Sequence, residues 1–230
     1  MLLKMLSLLW LFNGAPFAQN FSQNWLNSLE VPRLVKSSIL AANENKGLVT
    51  QLEAKVLSKK IVHVSQCLDI DPIVFTALIW RESHFKHQSK SETGAVGLTQ
   101  LTKTGIEEVL DRLASQSIRR RDDLRNQMTA CYPSLMKSIP ASLDFVDLSE
   151  WKRKVAASPE LSLIFGAALL KINLTSDYRT ALAKYNGDPR VKVQFAEDVL
   201  VLATWITSSF TLIPPSSLNN SKFLASIQGI

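Results

Sequence analysis

The chain has 230 residues, 46% of them hydrophobic and 20% charged, a balance that excludes a disordered polymer and allows one ordinary domain with a real core. Its formal net charge of +6 suits nucleic acid, anionic lipid or an acidic polymer, and by itself selects none of them. No internal repeat or low-complexity block interrupts it.

Met1 to Ala18 is expected to be a secretory signal peptide: Lys4 supplies the positive start, Met5 to Phe12 the apolar run, and Gly14 to Ala18 a small-residue end. The apolar run falls far below the roughly 20 residues that a membrane span needs, and no integral span is expected elsewhere. Residues 19–47 form a weakly patterned lead-in, with one short helix expected from Arg33 to Ala42. Leu48 to Cys67 reads as an amphipathic helix. Its predicted buried stripe is Leu52, Val56, Ile61 or Val62, and Val64 or Cys67, with Lys55, Lys59 and Lys60 on the wet side.

Asp71-Pro72 is a helix start, with Asp71 as N-cap and Pro72 at the first helical position, where its missing N–H costs nothing. The helix that follows places Phe75, Leu78, Ile79 and Glu82 on one face. A carboxylate on an apolar stripe is rarely there for stability, because burying it unpaired costs several kcal/mol. The structural alternative is a buried Glu82 paired with Arg81 or Lys184. After a polar exit from Ser83 to Ser91 comes Thr93-Gly94-Ala95-Val96-Gly97-Leu98-Thr99-Gln100, whose two glycines permit close backbone approach.

Glu82-Ser83, Phe85, Ser91, Gly94-Ala95, Gly97-Leu98 and Gln100 stand at the spacing of the soluble lytic transglycosylases, a family this chain resembles from about Lys55 to about Trp205. The family has Met where Thr99 stands and usually Ala where Ser89 stands. A second family element, Ala-any-any-Tyr-Asn, is matched by Ala181 to Asn186. The resemblance implies a mainly α, lysozyme-like helical domain over residues 48–210. It implies a lyase that cleaves the MurNAc-GlcNAc β-1,4 bond of peptidoglycan with Glu82 as its single acid and base, giving 1,6-anhydro-muramic acid ends. It also implies Ser91, Gln100, Tyr185 and Asn186 as substrate-binding residues, no cofactor or metal, and a periplasmic or secreted location.

Downstream of Gln100, Thr104-Gly105-Ile106-Glu107 has the pattern of a capping box and predicts a helix through about Ala114. Against the family pattern, residues 117–157 read as an insertion of about 40 residues, long enough to need helices or a role of its own. It carries Arg119 to Arg121 and Arg125, which suit a solvated face or a contact with glycan-strand peptides or a protein partner. Ser158-Pro159-Glu160 starts an almost wholly apolar core helix running to Leu174. Ser176-Asp177 opens a short one closed by Gly187, and Asp188-Pro189 starts the last, to about Ser208. Residues 211–230 read as a tail.

The residues leave some alternatives open. Cys67 and Cys131, the only cysteines, could form a disulfide in an exported chain or stay separate buried thiols. His84 and His87 lie near Glu82 but lack a His-Glu-any-any-His helix and read as a solvated pair rather than metal ligands. A hydrolytic muramidase of the same fold needs Glu82 equally. A non-catalytic glycan-binding or secretion-apparatus protein has no need of a carboxylate on an apolar stripe. A nucleic-acid binder would explain the charge but neither motif, so nucleic acid is not an expected partner.

Overall fold

The computed structural model describes residues 30–44, 49–114, 123–144 and 146–211. Its helices are α1 (Glu30–Asn43), α2 (Gln51–Cys67), α3 (Pro72–Ser83), α4 (Lys103–Ala114), α5 (Asp123–Cys131), α6 (Pro133–Ser138), α7 (Leu148–Ala157), α8 (Pro159–Asn173), α9 (Tyr178–Asn186) and α10 (Lys192–Thr211). Isolated bridges, Lys90 with Val96 and Val96 with Leu101, take the place of strands among the described residues. The mainly α expectation holds. The expected signal peptide, residues 19–29 and 45–47 of the lead-in, Arg119 to Arg121 and the tail from 212 onward lie outside the described residues.

Helix α3 is the axis of the fold. Asp71 caps it as expected: one carboxylate oxygen accepts from Ile73 N–H at 2.7 Å and Val74 N–H at 3.1 Å. Every residue from Pro72 to Trp80 is buried, so α3 is apolar all round and must be covered on all sides. Helices α1, α2 and α10 supply that cover. Trp80 meets the edge of Trp205 from α10, with ring centroids 5.6 Å apart. Helix α8, the second apolar rod, starts as predicted at the Ser158 cap, whose hydroxyl accepts from Leu161 N–H at 3.2 Å. Pro159 stops α7 from continuing, and the chain bends by 116° between α7 and α8. No single helix among the described residues is long and apolar enough to cross a membrane.

Four local expectations need correction. The lead-in helix is longer than Arg33 to Ala42, because Val31, Leu34, Val35 and Ile39 form a continuous buried stripe from its first turn. Helix α4 is capped by Thr102, whose Oγ1 accepts from Gly105 N–H at 3.1 Å, so Thr104 lies inside the helix rather than before it. Helix α10 begins at Lys192. Before it, the Asp188 carboxylate accepts from Arg190 N–H at 2.9 Å and holds residues 188–191 in a turn.

The fourth correction concerns α2. Its start at Thr50 is a reciprocal capping box with Glu53. Ile61, Val62 and Val64 are buried as expected, but in the first half of the helix the buried residues are Ala54 and Ser58, while Leu52 is 70% exposed and Val56 48%. Small residues on the inner face let α2 lie close against α1 and α3, and that packing outweighs the larger side chains of the rival stripe.

Cys67 and Cys131 form a disulfide, Cα atoms 6.2 Å apart and 64 positions apart in sequence, so the open question about the thiols closes on that side. The bond ties α5 to the end of α2. Residues 117–157 carry α5, α6 and α7, and α7 packs against α8 and α4.

Candidate active site

Glu82 occupies the last turn of α3. The three residues that share its face, Phe75, Leu78 and Ile79, are fully buried, and Glu82 itself is half-buried at the helix end. Removing the carboxylate from water raises its pKa to about 8, and the positive charge of Arg81 opposes this without cancelling it. Arg81 is held elsewhere: its Nε lies 3.5 Å from Asp198 Oδ2, and its guanidinium stands 5.8 Å above the Phe195 ring. Among the described residues Glu82 forms no ion pair, with Arg81 or with Lys184. The structural alternative, a carboxylate buried for pairing, therefore finds no partner.

Helix α3 ends abruptly beside Glu82. His84 (φ 51°) and Phe85 (φ 61°) both adopt the left-handed conformation, which costs non-glycine residues energy. Two anchors hold the turn. The Phe85 side chain is buried, and Asn43 Nδ2 of α1 donates to the His84 carbonyl at 3.3 Å. The Ser83 hydroxyl reaches the Leu98 carbonyl at 2.7 Å and so ties the helix end to the glycine loop.

That loop folds back on itself. Gly97 N–H donates to Ser89 O at 3.0 Å, Ser91 N–H to Ala95 O at 3.0 Å, and Val96 and Leu101 exchange both backbone bonds. Gly97 (φ 80°) is required twice over: a Cβ there would be left-handed and would sit 2.5 Å from Ser162 Oγ on α8. Thr99, the residue that departs from the family, is fully buried at the same contact. Its hydroxyl donates to Ser162 O at 2.8 Å, and its N–H reaches Ser162 Oγ at 3.3 Å. One turn further along α8, a Cβ on Gly166 would lie 2.5 Å from the Thr99 side chain. A hydroxyl pair and a glycine thus lock the loop to α8. Ser162 was missed in the sequence; the one hint was a threonine where the pattern has methionine.

The predicted site residues fall around this loop in distinct roles. Tyr185, in the last turn of α9, donates its hydroxyl to Thr99 O at 2.8 Å. Its pKa is raised well above the ordinary value by burial first and by the nearby negative charge of Glu82 second, so phenol and carboxyl share one environment. Gln100 (φ 46°) uses its amide N–H groups on Ser89 O at 3.1 Å and Gly97 O at 2.9 Å. Ser91 Oγ accepts from Ala95 N–H at 2.9 Å and pairs with Thr93 Oγ1. Asn186 accepts from Asp188 N–H at 3.2 Å through Oδ1. Ser91 and Gln100 therefore shape the loop, and Asn186 shapes the turn after α9.

The two other carboxylates of the motif region, Asp71 and Glu92, stand away from the Glu82 turn's interior. Asp71 is occupied at the opposite end of α3, about 16 Å away along the axis, and Glu92 is an exposed loop residue. A half-buried, protonatable carboxyl beside a phenol, on a braced loop, is an arrangement that can deliver a proton to a bound oxygen and take one back.

Residues 63–133 match the family model of the transglycosylase SLT domain. The match takes in α3, the glycine loop and α4 and runs into the segment expected to be inserted, while Tyr185 and Asn186 lie beyond it. No curated protein and no solved structure matches the chain. The stretch that builds the Glu82 turn and its loop is thus an SLT domain stretch, and the family it supports is that of the soluble lytic transglycosylases.

Proposed function

We propose that the protein is a peptidoglycan lytic transglycosylase acting outside the cytoplasm, with Glu82 as its single acid and base. The observation that carries this is the Glu82 carboxyl itself: without an ion pair among the described residues, half-buried, raised to about 8, and set in the SLT-matched stretch. At neutral pH such a group holds its proton and can give it up to a leaving oxygen. In the first step Glu82 protonates the glycosidic oxygen, and the MurNAc C1–O bond breaks. In the second, the Glu82 carboxylate takes the proton of the same sugar's 6-hydroxyl, whose oxygen bonds to C1. No water enters, and Glu82 ends as it began. The 6-hydroxyl is tethered to the reacting ring, so it attacks with the effective concentration of an intramolecular group.

In this reading Tyr185 keeps the far side of the Glu82 pocket dry and fixed, since its own proton is committed to Thr99 O. Gln100 has spent its N–H donors on the loop, leaving its side-chain carbonyl oxygen to accept from a sugar hydroxyl or acetamido N–H. Ser91 and Asn186 serve by holding the backbone that the glycan would meet.

The test is digestion of purified sacculi followed by mass analysis of the muropeptides. Products ending in 1,6-anhydro-muramic acid, lighter by one water than hydrolysis products, are expected. Glu82→Gln should lower their formation by at least about a hundredfold. Reducing-end products would mean a hydrolytic muramidase, and undiminished digestion by Glu82→Gln would remove Glu82 from the mechanism.

A further inference from the structure

The misplaced stripe of α2 points to a second binding surface. Leu52 and Val56 stand one turn apart on α2, with Val49 just before its cap, the spacing of a helix face meant to be covered, yet Leu52 and Val56 face outward. They form one wall of a groove of about 1060 Å³. The turn from Phe85 to Lys90 forms the other wall, and the start of α8 closes one end. Glu82, Ser91, Gln100, Tyr185 and Asn186 do not line it, whereas Phe85, Ser89 and Leu98 do, so the groove abuts the braced loop of the candidate active site without taking in those five residues.

The charges of the groove are not balanced. Glu160 pairs with Lys60, while Glu53 accepts from Thr50 N–H at 2.7 Å and Oγ1 at 2.8 Å, neutral donors that fix its carboxylate at the helix start and leave it charged. Lys86 and Lys90 are exposed on the opposite wall and form no ion pair among the described residues. An apolar wall therefore faces Lys86 and Lys90, two positive charges against the one left on Glu53, so the groove keeps a positive excess. A second copy of the chain would bring the same lysines to the interface and meet like charge. A flat lipid surface would leave the concave floor unfilled.

We propose that this groove docks an acidic amphipathic helix of a partner protein, its apolar face on Leu52 and Val56 and its carboxylates on Lys86 and Lys90. Ser89 lines the groove and its carbonyl also receives Gln100 Nε2 at 3.1 Å, so a docked helix would rest against the loop that holds the candidate active site. The inference depends on no assignment for Glu82.

The experiment uses the full chain and two synthetic helical peptides that share a leucine face, one flanked by glutamates and the other by lysines. Binding is read by fluorescence anisotropy. The acidic peptide should bind at least about tenfold more tightly than the basic one. Leu52→Asp with Val56→Asp should abolish binding, and Lys86→Glu with Lys90→Glu should reverse the preference. Unchanged circular dichroism would show that these surface variants fold, and the lysine pair tests the idea even if the aspartate pair does not. Equal binding of both peptides, binding of neither, or binding that survives both variants overturns the proposal. Two other results overturn it in favour of a different occupant: concentration-dependent dimerisation lost in the aspartate variant, or binding to phosphatidylglycerol vesicles lost in that variant without peptide binding.

Discussion

Replacing Glu82 by Gln keeps the shape of the side chain and removes its ionisation, which makes stability a direct readout of the carboxyl's surroundings. In the folded chain the group titrates at about 8, and its ordinary value is 4.5. Between those values the native state holds a proton that the unfolded chain has lost, so stability falls as pH rises from 4.5 and levels off above about 8. At about 1.36 kcal/mol per pH unit the full interval is worth about 5 kcal/mol. Water still reaches part of the half-buried side chain, and about 2–3 kcal/mol is the expected size after screening. The amide has nothing to lose, so Glu82→Gln should be more stable than the natural protein by that amount near pH 8, roughly 5–10 °C in Tm. The two should converge near about pH 4, where both carboxyl states are protonated. Urea titrations of both proteins across this range measure the difference. A natural protein as stable as the variant at pH 8, or a gap that does not close on acidification, would refute the reasoning that the carboxyl is held protonated by its site.

The same titration should appear in catalysis: anhydro-muropeptide release should hold through neutral pH and fall as pH rises through about 8, and a rate still climbing well above that value would contradict Glu82 as the acid. Tyr185→Phe removes the hydroxyl bonded to Thr99 O and should cost about 1–2 kcal/mol in a urea titration. Gly166→Ala drives a methyl into Thr99 and should destabilise by about 1–3 kcal/mol, with a loss of sacculus digestion as the loop is pushed off α8. Replacing Cys67 and Cys131 by serine opens a closed loop and should cost about 4 kcal/mol in the chain-entropy model, read as a lowered denaturation midpoint.

Features written in neighbouring residues were legible in the sequence. The caps at Asp71, Ser158 and Asp177 and the left-handed Gly187 stand where turn chemistry put them, because a cap is decided within four residues. Position 82 was legible as unusual for the same reason. What the sequence hid was set by partners far along the chain. Helix α2 carries two stripes, and only the presence of α1 and α3 decides that Ala54 and Ser58 turn inward while Leu52 and Val56 do not. Thr99 reads as a small departure from a pattern until Ser162 and Gly166, on a helix more than sixty residues later, are seen to hold it. Arg81 looked like a partner for its neighbour Glu82, and Asp198 takes it away.

The Cys67–Cys131 bond makes a ring of the backbone between its ends, and α3, the glycine loop and α4 all lie on that ring. A linear chain is divided by one cut, whereas a ring needs two before any piece can leave. A protease that severs one peptide bond between residues 68 and 130 would therefore leave Glu82 and Gln100 covalently attached to the same molecule. On a denaturing gel the nicked protein would run as one species until reductant is added, and then as two. In an environment crowded with hydrolases, the segment bearing the candidate active site can be wounded once without being lost.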